Sequence, residues 1–211
     1  MRQSSKARPS ETREKILDTA IELICNSTYE SVGIAEICSH VGVTKGGFYH
    51  YFDSKSSLYR EAAHHYWDKL KIELDAVFSL EHNSLQKLEG LIDFIVKKQY
   101  ELSTKENPVS GCPFFISGAQ CGSDESCVQE VAEELSEKAV TYNTGLVKSL
   151  QTDGVLAKPC DVVQVARLIH QFIKGLLLYC RVHNSLDTIE TDLREGLYRI
   201  IDLKHEYRKK I

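Results

Sequence analysis

Proline is scarce in this chain: among 211 residues it occurs four times, at positions 9, 108, 113 and 159. Glycine is sparse as well, and apolar residues almost never alternate with polar ones between turn signals, so the pattern that strands require is missing. Those absences leave an all-α chain. No run of 18 apolar residues occurs, and the longest stretches, such as Leu176–Cys180, are far too short to cross a bilayer. The Met1–Ser10 segment (MRQSSKARPS) lacks the apolar core of a secretory signal. A soluble cytoplasmic protein with no membrane partner is expected. The seven cysteines form no CxxC pair, and an odd, scattered set reads as free thiols in a reducing compartment.

An excess of positive charge is also lacking. The formal net charge is −4, with eight Lys/Arg against seven Asp/Glu in the first 60 residues and 18 against 23 in the remainder. That excludes a uniformly basic nucleic-acid coat. There is no phosphate-cradling glycine loop, no nucleophile elbow and no conspicuous carboxylate pair, so an enzyme is not expected. No Cys/His set has zinc spacing, and the adjacent His64 and His65 would point about 100° apart on a helix. Neither a metal nor a cofactor is expected.

What the sequence does contain is helical periodicity. A first helix opens near Ser10 as N-cap, carries the stripe Ile16, Leu17, Ala20, Ile21, Leu23 and Ile24, and ends around Asn26–Ser27. A second, Gly33–His40, buries Ile34, Ile37 and Cys38, and Gly42 supplies the tight turn after it. A third starts at Thr44 as N-cap and continues to about Tyr51. Ser54 caps a longer fourth helix bearing Leu58, Tyr59, Ala62, Tyr66, Leu70, Leu74 and Phe78. Further helices are expected at about 84–103, 113–121, 124–152, 159–183 and 186–206, with a polar loop at Ser103–Gly111 closed by Pro108 and a break at Gly154–Pro159. The chain divides into a three-helix head, residues 10–53, and a helical body, residues 54–211, with the fourth helix contributing to the head as far as about residue 60.

The spacing of Ile34, Ile37, Gly42, Val43 and Phe48 fits two short helices crossing steeply over a small core, as in a helix-turn-helix. The second helix of such a pair enters the major groove of DNA with its N-terminal residues at the base edges. Its outward residues are Thr44, Lys45, Gly46, Gly47, Tyr49 and His50. They offer hydroxyls, a flexible cation and a ring donor, while the paired glycines let the backbone approach a sugar-phosphate wall. Lys55, in the first turn of the next helix, combines a cation with free amides and suits a phosphate.

The stretch Tyr29–Tyr59, YESVGIAEICSHVGVTKGGFYHYFDSKSSLY, closely resembles the signature of the TetR family of bacterial repressors, with GVTKGGFYHYFDSK as the matching core. The resemblance implies double-stranded operator DNA as partner, with Thr44, Lys45, Tyr49 and His50 meeting it and Lys55 on a phosphate. It also implies a homodimer formed through the last two long helices and a small-molecule effector pocket in the body. Two positions depart from the family pattern. Val32 and Gly33 stand where Thr or Ser usually enters the second helix, so Ser31 or bare amides must serve there, and Ser56 replaces a frequent Glu.

In the body, residues 162–181 (VVQVARLIHQFIKGLLLYCR) are apolar around most of a helix and need a partner on more than one side. Leu168, Phe172, Leu176 and Tyr179, with Leu193 and Leu197 of the last helix, are the expected dimer contacts. Effector contacts are sought among Tyr66, Trp67, Phe94, Tyr100, Phe114, Phe115, Tyr142, His170 and Phe172, with Cys112, Phe114, Phe115, Tyr142 and His170 foremost. In SGCPFFISGAQCGSDESC, Cys112 precedes Pro113 at a helix start, a placement that favours a reactive thiolate, with Cys121 and Cys127 as resolving thiols. The Ser-Gly-Cys also looks like the TetR subgroup of electrophile- and redox-responsive repressors. The expected function is a sequence-specific repressor released by a small ligand or by thiol modification. The alternative is a ligand- or protein-binding module of the same fold without DNA reading.

Overall fold

The computed structural model describes residues 9–27, 29–103, 109–122 and 126–209. Among them the chain is all α, with helices α1 (Pro9–Asn26), α2 (Ile34–Val41), α3 (Lys45–Tyr49), α4 (Lys55–Val77), α5 (Ser84–Leu102), α6 (Pro113–Gln120), α7 (Ser126–Thr152), α8 (Val162–His183) and α9 (Ile189–Ile200), then a 3-10 turn at His205–Tyr207. No described helix is long and apolar enough to cross a membrane.

The head is three helices closed by the start of α4. The α1 stripe (Ile16, Leu17, Ala20 and Ile24) is buried against Ile37 and Cys38 of α2, Phe48 of α3 and Leu58 and Tyr59 of α4. Gly42 ends α2 at φ +79, and the N–H groups of Gly42 and Val43 both return to the carbonyl of Cys38, at 2.9 and 3.0 Å. A left-handed residue there reverses the chain within three positions, which sets α3 steeply across α2. Thr44 caps α3, its Oγ1 accepting from the Gly47 N–H at 3.0 Å, and Ser54 caps α4 by accepting from the Ser57 N–H at 3.0 Å.

In the body, α7 and α8 pack along their length, flanked by α4, α5 and α9 around a core of Leu88, Ile92, Leu146, Leu150, Ile169 and Leu193. Glu89 of α5 takes both the Arg194 guanidinium and the Tyr198 hydroxyl of α9, which fastens the last helix. The expected boundary at 53/54 falls in the turn before α4. The head's core nonetheless runs on into the body, taking in Phe114 of α6 and Val128 and Val131 of α7.

Four element boundaries differ from the sequence reading. Ser10 sits inside the first turn of α1 rather than capping it, because the helix already begins at Pro9, a residue whose fixed φ suits a helix start. The α3 helix stops at Tyr49, and Tyr51 and Phe52 close a turn onto the Phe48 carbonyl at 2.9 and 3.1 Å. At the far end α9 stops at Ile200. Asp202 adopts φ +52, and the following Leu203 makes an antiparallel bridge to Leu156 instead of another helical turn. The expected helix over 159–183 opens later, at Val162, where Asp161 accepts from the N–H groups of Val163 and Gln164 at 3.0 Å. Pro108 and residues 124–125 lie outside the described residues.

The turn at Gly42 gives a direct test. Gly42→Ala places a Cβ at a left-handed position and is expected to lower the unfolding free energy by about 1–2 kcal/mol, read from the urea midpoint at constant m. An unchanged midpoint contradicts the left-handed geometry.

Candidate functional site

The outward side of α3 is built on one buried ring. Phe48 is fully enclosed, edge-on to Tyr49 at 5.3 Å between centroids and 5.7 Å from Phe52. With that ring held inside, a five-residue helix must turn Thr44, Lys45, Gly46, Tyr49 and His50 outward, and all five are exposed, with Gly47 half-buried. Tyr49 keeps 53% of its surface open, a large aromatic area for a chain that has no use of its own for it. Thr44 spends its oxygen as cap acceptor and keeps its hydroxyl proton for an outside partner. No carboxylate among the described residues pairs with Lys45.

Gly46 is telling for a different reason. A Cβ built there would meet only Thr44 Oγ1, at 3.9 Å, so nothing within the chain requires glycine. Glycine inside a helix nevertheless costs about 1 kcal/mol relative to alanine. The open space lies on the same exposed side as Lys45 and Tyr49.

Lys55 occupies the first helical position of α4. Its Nζ donates to the Glu30 carbonyl at 3.2 Å and stands 4.3 Å from the centroid of the Tyr29 ring. At the entry to α2, Val32 is buried in the head core and Gly33 is the N-cap, with no side-chain cap. Glu36 Oε2 accepts from the Gly33 N–H at 3.4 Å, so the carboxylate of the helix's own first turn takes the amide at its entry.

Between head and body the contacts are dense. Phe114 is fully buried, 5.4 Å from the Tyr59 ring and 5.3 Å from the Tyr66 ring. Arg60 donates to Glu130 Oε2 at 2.8 Å, and the Cys127 thiol donates to the Ser56 carbonyl at 3.6 Å. His64 meets Glu134 of α7 and His65 meets Asp18 of α1, both at 3.0 Å. The adjacent imidazoles thus serve opposite sides of α4.

Behind this joint, among α4, α5, α7 and α8, lies a partly open cavity of about 130 Å³. Cys112, Tyr142 and His170 line it, as do Tyr66, Trp67 and Phe94. The other two foremost effector candidates do not. Phe114 belongs to the joint, and Phe115 lies edge-on to His170 at 6.1 Å with the Lys174 ammonium 5.4 Å from its ring centroid. Their neighbouring positions on α6 carry them to different sides of a short helix. Tyr100 is exposed on the outside, and Phe172 packs on Gly196 at the α8–α9 crossing.

Sequence reasoning missed Lys98, Gln99, Asn143 and Lys174 on the wall. Lys174 could have been found, since it falls one helical turn after His170. Gln99 could not: its role is to grip the backbone of Gly111, donating to that carbonyl at 3.3 Å and accepting from that N–H at 3.1 Å. Gly111 has φ +69, and Arg181 holds the preceding Ser110 carbonyl at 2.6 Å, so α5 and α8 together fix Cys112 at the start of α6.

Cys121 stands at the opposite end of that helix, donating to the Gly118 carbonyl at 3.1 Å. At 1.5 Å per residue the two cysteines are about 13 Å apart, beyond disulfide reach while α6 is intact. Cys121 therefore does not serve as the resolving thiol in this conformation. A different thiol lies near Cys112: burial, with Cys112 adding to it, pushes the Cys25 thiol up to about 12.

His170 is 8% exposed, and its Nε2 finds no partner among the described residues. Burial, and then the charge of Lys174, lower its pKa from 6.5 to about 4, so it faces the cavity as a neutral ring.

On the outer face of α8, Leu168 and Tyr179 are exposed and Phe172 and Leu176 half-buried, and the exposed Val182 extends the same apolar strip. Leu193 and Leu197 are fully buried within the subunit. They belong to its own core and are withdrawn from the expected interface, because the moment of α9 points inward while its outer face carries Asp192, Glu195 and Arg199.

Comparison with known proteins places this geometry. A family profile described as "Bacterial regulatory proteins, tetR family" matches residues 16–62, the head and the start of α4. Over 189 residues the chain is 25% identical to the HTH-type transcriptional repressor ComR of Escherichia coli, covering 88% of this chain and 87% of that one. A solved TetR-family transcriptional regulator from Agrobacterium tumefaciens has the same fold, with a TM-score of 0.81 at 20% identity, over 92% of this chain and 100% of that one. A cysteine mutant of the TetR-family regulator CifR, solved in complex with a 26-bp operator duplex, superposes with a TM-score of 0.73 at 16% identity, over 93% and 98% of the two chains.

Two measurements test the site. Gly46→Ala is expected to raise stability by about 0.5–1 kcal/mol while weakening DNA binding at least tenfold. A variant both more stable and equally tight on DNA removes the case for close approach at Gly46. For His170, the unfolded chain takes up a proton at 6.5 and the folded chain only near 4, so stability is expected to fall as pH drops through that window. The part due to this residue is on the order of 2 kcal/mol. Urea midpoints of wild type and His170→Gln between pH 7 and 4 isolate it, and parallel curves would refute it.

Proposed function

The chain belongs to the tetR family of bacterial regulatory proteins, and from that premise we propose a cytoplasmic repressor that binds a palindromic operator as a homodimer and lets go when its body cavity is occupied. The observation that carries the DNA-reading part is the exposed set Thr44, Lys45, Gly46, Tyr49 and His50, with Gly47 half-buried among them, held outward by the buried Phe48. These side chains meet base edges and adjoining backbone in the major groove, while Lys55 leaves the Glu30 carbonyl for a phosphate. The bare amides at the start of α2 face the phosphates on the other side of the turn.

One head offers few contacts, so specificity needs two heads about 34–36 Å apart on successive turns of one DNA face. The apolar strip of α8, from Leu168 through Tyr179 to Val182, supplies the two-fold contact that sets this spacing.

Release works through α4, which carries Lys55 at one end and the cavity residues Tyr66, Trp67, Leu70 and Leu74 farther along. An occupant that favours a different α4 position shifts the population toward dimers whose heads no longer fit adjacent grooves. A coupling of about 1–3 kcal/mol suffices. Cys112 lies on the same cavity wall and two residues from Phe114, so a group attached to its sulfur acts on the same joint.

Lys55→Ala is expected to weaken binding to every DNA sequence alike, and to flatten the salt dependence by about one unit of slope. Tyr49→Phe and Thr44→Val are expected instead to change which operator bases are preferred, by about 1–3 kcal/mol at the affected position. Gel shifts on an operator library at two salt concentrations distinguish them. Equal, sequence-blind losses for all three variants overturn the assignment of base readers, and binding that ignores salt overturns the DNA reading altogether.

A further inference from the structure

The cavity wall is lopsided in charge. Lys98, Lys174 and His170 border it, and no carboxylate does. Four of its polar side chains are already engaged. Gln99 is bound to Gly111 in both directions, Asn143 donates to the Ala166 carbonyl at 3.4 Å, and the Tyr142 hydroxyl is taken by Asp75. Lys98 lies between Glu73, at 2.5 Å, and Glu101, at 2.6 Å, so its charge is offset.

On α8, two wall groups lack such partners. Lys174 pairs with no carboxylate among the described residues, and its ammonium stands 5.4 Å from the centroid of the Phe115 ring. His170, 8% exposed, keeps Nε2 without a hydrogen bond. They are four residues apart on α8 and so lie on one side of it, one turn from each other. A buried nitrogen without a partner is unfavourable by itself, and a lone ammonium at an apolar wall attracts negative charge.

Size sets the rest. A cavity of about 150 Å³ lined by apolar side chains takes up benzene, so about 130 Å³ matches the size of one ring. Trp67, Phe94 and Ile173 give that ring flat and aliphatic surfaces.

We infer that the cavity binds a single-ring aromatic acid, its ring between Trp67, Phe94 and Ile173, and its anionic oxygens shared by the Lys174 ammonium and an N–H at Nε2 of His170. A neutral imidazole carries one proton, and placing it on Nε2 gives the oxygen a donor without adding a second buried charge. The inference rests on the reading of this cavity as the effector site and assigns that site its chemical class.

Sodium benzoate, benzyl alcohol and benzylamine are matched in ring size and differ in charge. Titrated calorimetrically into the full-length protein, benzoate is expected to bind at least tenfold more tightly than either of the others. Lys174→Gln, at a partly exposed position, is expected to erase that preference without shifting the thermal midpoint of the ligand-free protein. Ala139→Phe, which fills the cavity from α7, is expected to abolish benzoate binding. Equal binding of the three probes, no binding of benzoate, or a preference that survives in Lys174→Gln or Ala139→Phe overturns the inference. Operator affinity measured alongside separates the two readings. Benzoate that binds as described and leaves operator affinity unchanged sinks the effector role and upholds the ligand class. Equal probe binding sinks the class and leaves the effector role standing.

Discussion

The enclosure of Phe114 between Tyr59 and Tyr66 is the contact on which the two halves of the molecule depend. Its ring comes from a short helix of the body, yet it is buried with the residues that hold the head together. A fully buried aromatic contributes on the order of 2–3 kcal/mol by transfer alone, a large share of the margin of any single domain. The head is therefore not a bead on a linker. Its core is completed by α6 and α7, whose Phe114, Val128 and Val131 are buried in one cluster with Phe48 of α3.

That arrangement places the cavity where it matters. Cys112 starts α6 and lines the cavity, Pro113 follows, and Phe114 already belongs to the joint. Gln99 and Arg181 grip the two residues before Cys112 from α5 and α8. Three successive residues thus connect cavity wall, helix start and head core, with backbone on one side fixed by side chains of the body. The polar imbalance of the wall adds direction, since the ammonium of Lys174 and the neutral ring of His170 are presented by the same helix that carries the apolar strip on its outer side.

Much of this was legible in the residues because it is local. Thr44 and Ser54 act as caps because their hydroxyls sit three positions before an open amide, and Gly42 turns the chain because a left-handed residue is needed there. The exposed face of α3 followed from Phe48 alone. What was not legible depends on contacts distant in sequence. Gln99 reaches over twelve positions to Gly111, which no periodicity reveals. The inward turn of Leu193 and Leu197 was hidden because an apolar stripe looks the same whether a neighbouring helix or a second subunit covers it. Phe114 and Phe115 were indistinguishable as a pair, and only the direction of a two-turn helix sends one to the joint and the other to His170.

The middle of α4 has a mechanical consequence. Ala62 and Ala63 are wholly buried, and His64 and His65 are bonded to opposite sides immediately after them. Methyl groups leave no slack, so this segment acts as the fulcrum of a stiff rod. At 1.5 Å per residue, Leu74 on the cavity wall is about 16 Å to one side and Lys55 about 12 Å to the other. A sideways push of one ångström at the cavity end returns about three-quarters of an ångström at the phosphate end, in the opposite sense. On the release mechanism proposed above, such a lever would neither amplify nor absorb much, and a slight swelling of the cavity would return as a shift of Lys55 of nearly the same size.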